Sequence, residues 1–280
     1  MIQTLFPQER DLGAMLTLQA PKTSKWNFVK IDIAAISGNG INTDMDRYKD
    51  VITRLNANKS FLDEKLKISG GVSYYNGGFA NQTKYLYKTI DDAGVKKFKV
   101  DSASSNFKAQ TLKELKGVDL QLSAELPWGL TTVRGEYIEG QQPSTATSST
   151  YPTTAITTDT YLRKVQGYYV YFVQNILQSR HQLVFKYDVF DPNTDLKGEE
   201  IDGAKSTKTS TADMKYTTLG VGYILKIDAN TKLMFYGDFV KNEKSKIAAS
   251  KDKATGKVTD PGWEDDRKDN VFTIRLQYKF

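Results

Sequence analysis

Apolar and polar residues trade places at nearly every step along this chain. Its last ten residues, V-F-T-I-R-L-Q-Y-K-F, put Phe272, Ile274, Leu276, Tyr278 and Phe280 at alternate positions, with Thr273, Arg275, Gln277 and Lys279 between them. A period of two marks an extended strand with an apolar surrounding on one face and a polar one on the other. The pattern recurs upstream. D-L-G-A-M-L-T-L-Q-A sets Leu12, Ala14, Leu16, Leu18 and Ala20 on one face, and G-V-D-L-Q-L-S-A-E-L sets Val118, Leu120, Leu122, Ala124 and Leu126 against Asp119, Gln121, Ser123 and Glu125. Similar segments surround Ile31, Leu55, Ile68, Val133, Phe185, Leu219 and Phe235. V-Q-G-Y-Y-V-Y-F-V-Q-N is apolar at both parities, so its facing stays open. The pattern predicts eleven strands and an all-β fold.

The links between these strands alternate in length. Short ones fall at 21–25, 62–64, 127–129, 177–179 and 228–230. Long, polar ones fall at 37–49, 77–113, 140–160, 191–213 and 243–268. That asymmetry predicts a transmembrane antiparallel up-and-down β-barrel, with short turns at one rim and long loops at the other. In lipid every backbone group needs a partner, so a spanning sheet closes on itself. A soluble antiparallel sheet also alternates and is the competing reading. Full charges on the polar face favour a wet lumen: Lys30, Asp32, Arg54, Lys67, Asp119, Arg134, Glu136, Lys186, Asp188, Arg275 and Lys279. Aromatics near strand ends (Trp26, Tyr74, Trp128, Tyr187, Phe239) suit an interfacial girdle. Residues 1–280 read as one barrel domain, and 77–113, the longest link, as an external loop or one folded inward.

Composition agrees. The 280 residues are 39% apolar but 11% aromatic, with 16 Tyr and 13 Phe, and mean hydropathy is −0.51. No apolar run is long enough for a spanning helix. Cysteine is absent and His181 is the only histidine, which excludes thiolate metal centres and Cys nucleophiles and leaves a Ser-His-Asp triad with a single possible base. No cofactor or metal is called for: D-P-N-T-D-L-K-G-E-E is rich in oxygens but lacks the EF-hand spacing and reads as a solvated turn. The net charge of +6 comes from lysines scattered among acids, a poor footprint for nucleic acid. P-S-T-A-T-S-S-T-Y-P-T-T-A-I-T-T-D-T (143–160) reads as a flexible low-complexity loop.

Strand parity carries an expectation about the start. If the last strand ends at the short-turn rim, the strand at 11–20 runs toward that rim too. Single-chain bacterial barrels begin there and have even strand numbers. An odd number of strands should therefore precede residue 11, about five for a 16-stranded barrel, together with a signal peptide. Met1 is then internal or a misplaced start. A complete 12-stranded barrel with one strand hidden in K-K-F-K-V-D-S-A-S-S-N-F or in the first ten residues is the alternative.

L-F-P-Q-E-R-D-L-G-A-M-L resembles a segment inside the phosphate-selective porin (O/P-type) proteins of Bacteroidetes. R-G-E-Y-I-E-G-Q-Q-P, G-Y-Y-V-Y-F-V-Q-N, F-K-Y-D-V-F-D-P-N-T-D and D-N-V-F-T-I-R-L-Q-Y-K-F resemble their later strands. The resemblance covers nearly the whole chain and begins mid-protein. It implies a trimeric 16-stranded anion channel in a Gram-negative outer membrane, with basic residues at its constriction. It also implies that Phe272, Ile274, Leu276, Tyr278 and Phe280 form the terminal signal read by the insertion machinery. This chain carries no dense arginine ladder, and its polar face mixes bases with acids.

The function expected is a porin, passing small hydrophilic and anionic solutes such as phosphate through a lumen lined by Lys30, Arg54, Lys67, Arg134, Glu136, Lys186, Asp188, Arg275 and Lys279. Arg134 and Arg275 are the foremost candidates for anion contact, against the alternative that each pairs with a neighbouring acid. Lipid and lipopolysaccharide surround it, and its assembly is a homotrimer or a larger membrane complex. A plugged barrel serving as scaffold or subunit is the second reading. An outer-membrane hydrolase is the third and weakest.

Overall fold

A computed structural model describes residues 2–8, 10–44, 46–154, 157–252 and 255–279. Eleven strands follow one another side by side in a single antiparallel path. They are β1 (Gly13–Gln19), β2 (Val29–Ile36), β3 (Asp50–Phe61), β4 (Leu66–Ala80), β7 (Gln110–Leu126), β8 (Gly129–Ser144), β9 (Thr160–Asn175), β10 (His181–Asp191), β11 (Tyr216–Lys226), β12 (Thr231–Asn242) and β15 (Val271–Tyr278). Two strands lie off the path, β5 (Leu86–Asp92) and β6 (Val95–Asp101). A small ribbon, β13 (Ser250–Lys251) with β14 (Val258–Asp260), sits in the last long link, and a one-turn helix spans Ile2–Leu5. The architecture is thus the all-β, up-and-down sheet that the alternation predicts. The strand within K-K-F-K-V-D-S-A-S-S-N-F exists as β6, but it pairs with β5 and adds nothing to the wall.

Register keeps the two parities on two faces across the whole path. Leu16 lies opposite Ile33, Leu55 opposite Val72, Leu122 opposite Val133, Phe172 opposite Phe185 and Phe235 opposite Ile274. A slip of one residue anywhere would exchange the faces. One face is an unbroken apolar belt with an exposed residue from every path strand: Leu16, Ile33, Leu55, Val72, Leu120, Val133, Val170, Phe185, Val221, Phe235 and Ile274. Belt and charge together settle the ambiguous V-Q-G-Y-Y-V-Y-F-V-Q-N. Tyr168, Val170 and Phe172 join the belt, while Tyr169, Tyr171 and Val173 face the other way beside Arg134 and Lys186. Phe272, Ile274, Leu276 and Tyr278 are all exposed on the belt. Phe280 lies outside the described residues.

The opposite, inner face holds the loops. Near the long-loop rim it carries an apolar girdle of Tyr75, Leu115, Ile138, Val165 and Phe190, one residue from each of five adjacent strands, and Leu5 is fully buried against it. The link 77–113 consists of an extension of β4, the β5–β6 hairpin and the start of β7. Tyr87 of the hairpin stacks on Tyr161 at 4.5 Å and Phe98 meets the same ring edge-on at 4.9 Å, in a cluster with Leu196, Ile201 and Met214. At the opposite rim the turns are tight. Asp228 accepts the backbone N–H groups of Asn230 and Thr231 at 2.7 and 2.8 Å, and these bonds hold its carboxyl below the usual range.

A buried ion pair fastens the long loops to one another. Arg163 and Asp213 have fully buried side chains 2.8 Å apart. Arg163 also donates to Ser144 and to the Thr145 carbonyl at 2.7 Å, while Asn193 donates to Asp213 at 2.9 Å. The Ser/Thr-rich 143–160 stretch is therefore pinned, where its composition predicts free coil. Ala155 and Ile156 lie outside the described residues. In the oxygen-rich 191–200 turn, Asp195 pairs with Lys164 at 3.0 Å, and Glu200 with Lys96 at 3.2 Å. Removing one partner of a buried pair strands the other charge, at about 3–5 kcal/mol. Arg163→Leu is thus expected to release 145–159 and 192–215 together while the wall stays folded. Limited proteolysis of the variant should cut both loops, and cleavage of neither would remove the clamp.

Candidate functional site

Register puts eight of the nine charged positions expected in the lumen on the inner parity, all but Lys279, and their partners separate them. Lys30 pairs with Asp32 at 2.9 Å and Lys67 with Glu64 at 3.5 Å. Arg54 reaches across β4 to Asp119 at 2.6 Å, passing over Gly71, where a Cβ would stand 3.1 Å from its guanidinium. Lys186 lies between Asp188 at 3.6 Å and Asp238 at 3.2 Å. Glu136 stands directly opposite Tyr169 in register. Lys279 lies just past β15, its backbone N–H bonded to the Asn230 carbonyl. Arg134 and Arg275 are exposed and form no ion pair among the described residues.

Three of these residues meet. Arg134, Lys186 and Arg275 line one cavity of about 470 Å³, with Asp238 as its acid. Five inter-strand steps separate β8 from β15, about 24 Å at ~4.8 Å per step, so one cavity touches both only because this face is concave. Lys30, Arg54, Lys67 and Lys279 do not join it. The Arg134 guanidinium sits 4.6 Å over the Tyr171 ring, a cation–π contact that fixes it, and its donors meet no hydrogen-bond partner among the described residues. Opposite, the Tyr236 ring lies along β11 over two glycines. A Cβ at Gly222 would stand 2.4 Å from the ring, and one at Gly220 2.1 Å from the hydroxyl. That hydroxyl is buried and has no hydrogen-bond partner among the described residues. Val173, Val184, Ile224 and Met234, with Gln182 and Thr273, complete the lining.

The two tyrosines and the glycine cradle are what the charge pattern alone overlooks. The signal for the cradle was G-V-G in Y-T-T-L-G-V-G-Y-I-L, two glycines on one face, but only register shows which ring fills them. A second feature that the charge pattern overlooks is Lys113. Its ammonium is buried among the rings of Phe6, Tyr75 and Tyr151 at 4.2, 4.6 and 3.9 Å, and it donates to the Leu5 carbonyl at 2.5 Å. It holds residues 5–6 on the apolar girdle. Burial, and then the nearby Asp50 carboxylate, push the Tyr151 phenol above its usual pKa, so it stays neutral there. His181 opens β10 and shares a 2.6 Å hydrogen bond with the Tyr223 hydroxyl, where a triad base would face a serine.

No protein-family model matches the chain, and no curated protein matches its sequence. Among solved structures, a refined porin structure superposes with a TM-score of 0.51 at 10% identity, over 98% of this chain and 64% of the porin. OmpT, an outer-membrane protein of Vibrio cholerae, gives 0.44 at 10% identity, over 96% and 64%. The fold is therefore of the porin type. The chain spans 64% of the length of that porin.

The two faces make a direct prediction. Because the chain has no cysteine, a single introduced thiol reports its own surroundings. In lipid vesicles, Arg275→Cys is expected to react with a charged, water-soluble thiol reagent and Ile274→Cys to resist it. Equal reactivity would mean that both faces are wet.

Proposed function

We propose that this chain forms the wall of an outer-membrane diffusion channel for small hydrophilic solutes, with a preference for anions. The observation that carries this reading is the contrast on the inner face. Most of its acids are held by neighbouring bases, while Arg134 and Arg275 form no ion pair among the described residues and share one cavity. Exposed basic groups along a pore favour anions. The belt supports the membrane setting. Its apolar positions run from Val118 to Leu126 on β7, about the 9–11 residues that a tilted strand needs to cross a bilayer. Tyr137, Tyr168 and Tyr187 border it toward the long loops, as an interfacial girdle would. Lipid and lipopolysaccharide around the belt, assembly as a trimer or larger complex, and phosphate among the solutes belong to the same reading.

Single-channel recording of the full-length protein in a planar bilayer under a KCl gradient tests it. A steady conductance with a reversal potential on the Cl⁻ side is expected. Arg134→Gln with Arg275→Gln should move that potential toward zero. A cation preference would discard the anion reading, and silence from a folded barrel would discard the channel.

A plugged barrel is favoured by one specific observation, the seating of Leu5 and Phe6 on the inner girdle beneath the loop cluster. In this second reading residues 5–6 narrow the pore. Leu5→Ala with Phe6→Ala then raises single-channel conductance, and an unchanged conductance would remove the plug.

A further inference from the structure

Bare phosphate or chloride uses only the cations of the inner cavity, yet much of its lining is not cationic. Val184 and Ile224 are 7% and 8% exposed, an apolar floor on a face otherwise rich in charge. Tyr236 is laid down along β11 by Gly220 and Gly222, so a ring lies beside that floor. Arg275 stands directly opposite Met234 in register, at the floor's edge, and Arg134 waits over Tyr171 on the far side. An apolar floor with ring surfaces between two forked cations matches a solute with a flat hydrocarbon body and a planar anionic end. Asp238 lines the same cavity but is paired with Lys186 at 3.2 Å, so the charge offered to a solute is set by the two arginines.

We infer that this cavity is a binding subsite for ring-bearing carboxylates. The inference rests on the channel reading only for its setting: the carboxylate lies against Arg275 or Arg134, and the ring lies on Tyr236 and the floor. Solutes of this kind pause in the lumen, while small inorganic ions pass over the site.

Calorimetric titration of the folded full-length protein in detergent tests this without current flow. Sodium benzoate is the probe, with acetate and inorganic phosphate as comparisons at fixed chloride. Benzoate is expected to bind roughly tenfold more tightly than acetate, the upper worth of one aromatic contact. Tyr236→Ser should bring benzoate down to the level of acetate, and Arg275→Gln should weaken both. Gly222→Ala removes no cation or ring, but its Cβ displaces Tyr236, so it too should weaken benzoate selectively. Acetate or phosphate binding as well as benzoate would overturn the inference, as would benzoate affinity unchanged in all three variants. A conducting channel without benzoate preference rejects the subsite and spares the channel. Benzoate selectivity in a silent barrel upholds the subsite and rejects the channel.

Discussion

Side chains on an extended strand point alternately to the two sides of its sheet, and the ladder to the neighbouring strands removes any freedom to depart from that rule. Everything else in this molecule is subordinate to it. Ile274 is committed to the belt because Phe235 is, and Arg275 to the inner face because Met234 is. The apolar belt and the charged inner face are thus carried by the same strands in alternate letters. On the channel reading, a ladder bond lost in the middle of the sheet would strand backbone groups that lipid cannot satisfy.

Within that frame the inner surface is largely self-neutralised. An ion pair at 2.6–3.2 Å, such as Arg54 with Asp119 or Lys186 with Asp238, projects little field beyond a Debye length of about 8 Å at physiological salt. The local potential is then set by the few groups left over, chiefly Arg134 and Arg275. Counting lysines, arginines and acids along the sequence therefore misjudges the inner face, because paired groups enter the count without entering the field. Which groups pair depends on reach across intervening strands, as Arg54 shows in crossing over a glycine.

The strands were legible because alternation is a local property of the chain, and their order followed from the alternation of link lengths. The parity that carries the charges was legible for the same reason. Partnership was not, because Arg54 and Asp119 lie on different hairpins and no short-range pattern joins them. Nor were the roles of Arg163 and Lys113. Each follows the inner parity like a pore-lining base, yet burial under the loops turns one into a clamp and the other into a socket for Leu5. The long loops read as polar coil because their order comes from a handful of buried contacts, such as Tyr87 on Tyr161, rather than from periodicity. Leu5 and Phe6 lie in a stretch too short to show any period at all.

The clamp around Arg163 has a consequence for how the loop rim can change. Three segments, 143–148, 191–193 and the turn at Asp213, converge on one guanidinium and its carboxylate. A replacement that lengthens or reshapes one of them alters the seat of the other two. Variation there is inherited as a block, so a graft that exchanges a single loop between related barrels would carry over its sequence without its shape.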